Sequence, residues 1–128
     1  MKKKLRKIVI ENIEYVYAMD RKNLEREISI LTVRVYLKKR KQTPLIIEFK
    51  TIIVDYYGGN VLNSGIYLQN DANEIEEINI NEPQIIRRLI LSGLKNGWTG
   101  YNEIGIQDGI LYLNELGYNT NIIYFCDV

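Results

Sequence analysis

Residues 27–54 read EISILTVRVYLKKRKQTPLIIEFKTIIV, and this stretch decides the fold. Glu27–Leu37 places Leu31, Val33, Val35 and Leu37 on one side of an extended chain, and Pro44–Val54 does the same with Leu45, Ile47, Phe49 and Ile53. Side chains of a strand point alternately to opposite faces, so each run reads as a strand with one apolar face. The polar segment Lys38–Thr43 reads as the turn joining them into an antiparallel hairpin. A register with Val35 facing Ile47 and Val33 facing Phe49 matches the apolar faces and sets Arg34 opposite Glu48.

Upstream, Leu5–Glu11 and Ile13–Met19 flank a tight turn at Asn12. The second run alternates, with Ile13, Tyr15, Tyr17 and Met19 on one face, and Asp20–Arg26 follows as a polar link. Downstream, residues 55–64 read as a long loop holding Tyr56-Tyr57 and Gly58-Gly59. Gly65–Asn70 and Glu74–Ile80 form a third hairpin around Asp71-Ala72-Asn73. The period then changes. Ile85, Ile86, Leu89, Ile90 and Leu94 follow helical spacing. Asn81 suits an N-cap with Gln84 three residues on, Pro83 suits the first turn, and Gly97 suits the residue past the end. These signs predict a helix over 82–96, with Leu91 widening its apolar stripe and Trp98 folding back on the core. The tail predicts a short strand over Glu103–Ile106, a short helix over 108–116 closed by Gly117, and a last strand over Asn121–Val128. Without repeats or an interdomain linker, residues 1–128 read as a single α+β domain. It is mainly an antiparallel sheet of five to seven strands built from hairpins, with the main helix packed on it.

Composition narrows the chemistry. Among 128 residues there is no histidine and one cysteine, Cys126. That removes the commonest general base, the usual partner of a Ser or Cys nucleophile, and any Cys-based zinc site. Cys126 sits in an apolar run and reads as a small buried hydrophobe. The chain has 21 Ile and only two Ala, which favours strands over a helix bundle. The start, Met1-Lys2-Lys3-Lys4-Leu5-Arg6-Lys7, resembles a signal-peptide n-region, but Ile8-Val9-Ile10 is too short for an h-region. No apolar run is long enough to span a membrane, so a cytoplasmic protein is expected.

The formal charge of +1 hides a split. Residues 1–42 carry 13 Lys/Arg against 5 Asp/Glu, a net of +8, and residues 43–128 carry 4 against 11, a net of −7. The positive part lies in the N-terminal run and in Lys38-Lys39-Arg40-Lys41, where Tyr15 and Tyr17 are the aromatics available to a nucleic-acid surface. The negative part gathers at Asp71, Glu74, Glu76, Glu77 and Glu82, with no Lys or Arg between residues 51 and 86. Such a segment suits docking on a basic protein, with Tyr56 and Tyr57 as interface anchors. The two patches are expected on different edges of one sheet. Adjacent carboxylates such as Glu76 and Glu77 alternate across a strand and cannot converge on one atom, while Asp55, Glu103 and Asp108 could meet only through tertiary structure. There is no Gly-x-x-x-x-Gly-Lys-Ser/Thr loop and no EF-hand loop, so neither a cofactor nor a metal is expected.

Two segments carry a resemblance. Asn81-Glu82-Pro83-Gln84-Ile85-Ile86-Arg87-Arg88-Leu89-Ile90, continued by Gly93-Leu94-Lys95-Asn96-Gly97-Trp98, resembles a segment of small bacterial proteins. In those, a strand-rich first part runs into a Pro-started helix closed by Gly-Trp. The stretch from Asp108 to Tyr118 is similar to their tails. Proteins of this appearance resemble cytoplasmic immunity proteins of bacterial toxin–immunity systems, which implies a small, non-catalytic, single-domain binder. The expected function is therefore a non-enzymatic protein-binding domain that occludes a toxin with a basic surface. The alternative is a nucleic-acid-associated module using the basic N-terminal third. A second alternative is a small-ligand protein or enzyme with a pocket under the 55–64 loop.

Overall fold

A computed structural model describes residues 5–24, 28–52 and 65–120. Tyr56, Tyr57, the loop that holds them, Cys126 and the expected last strand lie outside these residues. In chain order the described elements are β1 (Arg6–Ile10), β2 (Ile13–Leu24), β3 (Ile28–Leu37), β4 (Arg40–Ile52), β5 (Ile66–Gln69) and β6 (Ile75–Ile78), then α1 (Pro83–Lys95), β7 (Ile106–Asp108) and α2 (Gly109–Glu115). Five strands form one sheet in the order β1-β2-β3-β4-β7. Its pairs are antiparallel except β4–β7, which is parallel. The strands β5 and β6 form a separate antiparallel pair, so the architecture is α+β.

The turn between β1 and β2 has two central residues, Glu11 and Asn12, with φ of 51° and 68°. Positive φ at both positions gives the backbone twist that a two-residue hairpin needs. The strand β2 runs on through the segment expected as a polar link, because its backbone pairs with β3 as far as Leu24↔Ile28. In β3–β4 the apolar faces agree as expected, but the register differs by two residues. Val33 pairs with Ile47 and Val35 with Leu45, so Arg34 lies opposite Ile46, and Glu48 opposite Thr32. The cause is a tighter turn: Leu37 pairs with Arg40, Lys39 takes a φ of 68°, and the ladder is irregular between Val35 and Leu37. A shift of two keeps every side chain on its own face, so hydrophobic matching alone does not exclude it.

The inner face of the sheet carries Tyr15, Tyr17, Leu31, Val33, Val35, Leu45, Ile47 and Phe49, all buried. Ile85, Ile86, Leu89 and Ile90 of α1 belong to the same core. The helices come close to β4 at two glycines. A Cβ on Gly93 would stand 2.4 Å from Leu45 Cδ2, and one on Gly109 would stand 2.3 Å from Phe49 Cε1. Leu91 is 38% exposed and does not widen the buried stripe. The N-cap of α1 is Glu82, without a side-chain cap bond. Asn81, the expected cap, instead donates its backbone N–H to Asn79 Oδ1 at 2.9 Å. The short strand of the tail falls at Ile106–Asp108 rather than Glu103–Ile106, where its backbone meets β4.

Both helices end alike. Trp98 N–H donates to Gly93 O and Gly97 N–H to Leu94 O; Tyr118 N–H donates to Leu113 O and Gly117 N–H to Asn114 O. Gly97 and Gly117 have φ of 109° and 99°, the left-handed conformation this helix ending requires. Each ending turns an aromatic side chain inward. Trp98 is buried against Tyr15 with ring centroids 5.9 Å apart, and its Nε1–H donates to Thr43 O at 3.1 Å. Among the described residues, no helix is long and apolar enough to cross a membrane.

Candidate functional site

The acidic segment folds as the β5–β6 hairpin, and its turn is built by Asn70. The Asn70 Oδ1 accepts from Ala72 N–H at 2.9 Å and Glu74 N–H at 3.0 Å, while Asn73 takes a φ of 62°. An Asn side chain bonded to nearby backbone in this way fixes a turn without tertiary help. Of the five acidic residues, Glu82 lies beyond the hairpin at the N-cap of α1, and four belong to the hairpin: Asp71 and Glu74 at its turn, and Glu76 and Glu77 on β6, whose alternation separates them. Glu76 and Ile78 face the rest of the molecule, whereas Ile75 and Glu77 face away.

Glu76 anchors the hairpin. It accepts from Asn70 Nδ2 at 3.0 Å, and Arg88 Nη1 lies 3.7 Å away. Arg88 also donates to the Tyr118 hydroxyl, which in turn bonds to Glu76. The Asn70 amide, then the Tyr118 hydroxyl and the Arg88 guanidinium, hold the Glu76 carboxyl below its ordinary value, against an opposing push from burial. Burial pushes the Tyr118 hydroxyl up. Buried Leu68 and the bond from Asn119 N–H to Gln69 O at 2.8 Å complete the attachment. Glu76 is thus spent on structure.

The other three carboxylates face solvent. Asp71, Glu74 and Glu77 are exposed and make no ion pair among the described residues. On the same outward face the cross-strand pairs are Tyr67↔Glu77 and Gln69↔Ile75. Tyr67 is 63% exposed and Ile75 is 64% exposed. Beside the hairpin tip, a polar cleft of about 360 Å³ is lined by Asn70, Asp71, Asn73, Asn114 and Asn119 among others. The Asp71 carboxylate leans over Gly117, where a Cβ would come within 2.5 Å of its Oδ2.

The basic and acidic patches are therefore not two edges of one sheet, because the hairpin is a sheet of its own. Tyr15 and Tyr17 are buried and offer no stacking surface beside the basic residues. Asp108 caps α2, accepting from Ile110 N–H at 3.0 Å and Leu111 N–H at 3.3 Å. Among the described residues, no group of three or more His, Cys, Asp or Glu is placed to hold a metal. Comparison with protein-family models, curated proteins and solved structures finds no match to this chain.

The sequence reading missed Tyr67 and Ile75. The run Ile66-Tyr67-Leu68 is apolar on both faces, so a four-residue strand gives alternation too little length to set its phase. The usable signal is local: Glu76 alone among the four acids has an inward-facing apolar residue, Ile78, two positions on.

Proposed function

We propose that this chain is a non-enzymatic protein-binding domain whose docking surface is the outward face of the β5–β6 hairpin. The observation that carries this reading is the pairing of two largely exposed apolar side chains, Tyr67 and Ile75, with three carboxylates that have no ion-pair partner among the described residues. An exposed tyrosine within a charged rim is a frequent interface anchor, and uncompensated charge of one sign selects a partner of the other. The partner is a protein with a basic surface. A standard interface covers about 800 Å² on each side, so contact extends beyond the hairpin face, and the polar cleft at its tip is contiguous with it. The resemblance of the α1 and α2 segments makes the concrete form an immunity protein that occludes the active surface of a bacterial toxin.

The test is capture of the partner with a tagged chain, then titration of the two purified proteins at low and high salt. Tyr67→Ala and Ile75→Ala should each weaken binding by roughly tenfold. Glu74→Lys with Glu77→Lys should weaken it further and remove most of its salt dependence. Unchanged affinity and salt dependence in these variants would remove the hairpin as the docking surface. The toxin component has its own readout: cells making the captured partner should lose viability and regain it when this chain is made with it.

A further inference from the structure

Among the described basic residues of the first third, Lys7 and the run 38–41 meet at one end of the five-stranded sheet, whereas Arg21 and Lys22 lie toward the other end of β2. Tyr15 pairs with Leu37, so the β1–β2 and β3–β4 turns lie side by side. Lys7 and Lys38, far apart in sequence, approach the same Glu14 carboxylate at 3.9 and 3.4 Å. Lys39, Arg40 and Lys41 make no ion pair among the described residues, and Lys39 and Lys41 are exposed.

A third segment, residues 97–102, closes against this turn and is held by its own bonds. Thr43 Oγ1 donates to Gly100 O at 2.7 Å. Asn102 Oδ1 accepts from Thr99 N–H at 2.8 Å and from the Thr99 hydroxyl at 2.9 Å, and Asn102 Nδ2 donates to Gly97 O at 2.9 Å. Tyr101 N–H donates to Thr99 Oγ1 at 3.1 Å. The loop thus presents Tyr101, 65% exposed, in a fixed place. The Arg40 guanidinium lies 4.9 Å from the centre of its ring. Arg40 Nε donates to Thr43 Oγ1 at 3.2 Å, which orients the guanidinium and leaves its two terminal amino groups without a hydrogen bond among the described residues.

We propose that this end of the sheet binds single-stranded nucleic acid. Tyr101 stacks a base, and Arg40, Lys39 and Lys41 take the neighbouring phosphates. A positively charged surface with an exposed ring fits an unpaired strand, because an open base face is required for stacking and any base supplies one. An acidic protein would also find an anchor in such a ring, and competition with polyglutamate separates the two. The surface shares no residue with the outward face of the acidic hairpin, so this inference stands or falls independently of the protein-binding reading.

The experiment is fluorescence anisotropy of labelled oligothymidylate and oligouridylate with the full chain across a salt series. Three phosphate contacts predict that the logarithm of the binding constant falls against the logarithm of salt with a slope of about −2. Tyr101→Ala should weaken binding about tenfold with the slope unchanged, as expected for one lost stacked base, and Tyr101→Phe should restore it. Lys39→Ser with Lys41→Ser should lower the slope by about 1.4. Unaltered thermal midpoints would show that these surface variants fold. Binding of either oligonucleotide with this pattern supports the proposal, and the stronger of the two identifies DNA or RNA. No anisotropy change at low salt with either one overturns it. So does full displacement by polyglutamate together with indifference to Tyr101→Ala, which would assign the surface to acidic proteins.

Discussion

In the β3–β4 hairpin, Leu31, Val33, Val35, Leu45, Ile47 and Phe49 face inward and are buried. In the β5–β6 hairpin the inward Glu76 is a carboxylate, whereas the outward Tyr67 and Ile75 are apolar. Both are antiparallel pairs, but only the first follows the rule that burial favours apolar groups. The second is attached by buried Leu68 and Ile78 and by a polar cluster, and it leaves apolar area in water. A local departure from the pattern that stabilises the rest of a fold is where function is expected. If that contrast holds, perturbing the first hairpin costs stability, and perturbing the outward face of the second costs binding alone.

The largest effect is expected at Phe49. Truncation by Phe49→Ala removes a fully buried ring packed on Gly109 and leaves a cavity between β4 and α2, so unfolding free energy should drop by about 4 kcal/mol in denaturant titration. A loss below about 1 kcal/mol, the range of surface positions, would break the contrast.

Next comes Tyr112, which α2 supplies to the main sheet. The Tyr112 hydroxyl donates to Gln107 at 2.9 Å on the main-sheet side, and burial pushes its pKa up to about 12. Below pH 10 the phenol is neutral in both the folded and unfolded chain. Between pH 10 and 12 only the unfolded chain ionises at this residue, so its contribution is lost as pH rises through the folded value. The loss should be on the order of 2 kcal/mol across that window, and Tyr112→Phe should remove it when unfolding is followed at successive alkaline pH values.

The same contrast explains what the sequence made legible. Ten-residue alternation in β3 set its faces, the 3.6-residue period set α1, and Gly97-Trp98 and Gly117-Tyr118 marked two helix ends. Each of these is a local pattern repeated over enough residues to be read. The β3–β4 register was not legible, since a slip of two leaves the faces unchanged, and β7 is three residues long and defined only by its parallel partner. The acidic cluster was visible as composition, but its division into one structural and three outward carboxylates depends on Arg88 and Tyr118, 30 residues apart. Likewise Arg40 and Tyr101 meet through tertiary bonds, from Trp98 Nε1 to Thr43 O and from Thr43 Oγ1 to Gly100 O. Tyr56 and Tyr57 fall outside the described residues.

A smaller effect is expected at the hairpin's anchor. Glu76→Gln loses the charge that Asn70, Tyr118 and Arg88 satisfy, and at this partly exposed position the cost should be about 1 kcal/mol at neutral pH. The folded carboxyl lies below its ordinary value of 4.5, so its contribution is complete above that pH. It is lost as pH falls through 4.5 and then through the folded value, because the unfolded chain takes the proton first. Stability of the parent and of Glu76→Gln should therefore converge as pH falls. Parallel curves would show that Glu76 is not held as an anion by its partners.

The smallest effect on stability, and the one that sharpens the contrast most, is expected at Tyr67 and Ile75. Each already exposes about two thirds of its side-chain-bearing surface, so Tyr67→Ala and Ile75→Ala should change unfolding free energy by less than about 0.5 kcal/mol. The two residues sit diagonally on one face, in the pairs Tyr67↔Glu77 and Gln69↔Ile75, and the double variant should be additive to the same small total. A loss of several kcal/mol would mean that these side chains hold the hairpin together, and their exposure would then say nothing about a partner. Near-neutral stability combined with a tenfold loss of partner affinity would separate the two roles: Glu76 keeps the hairpin in place, and Tyr67 and Ile75 are free for recognition.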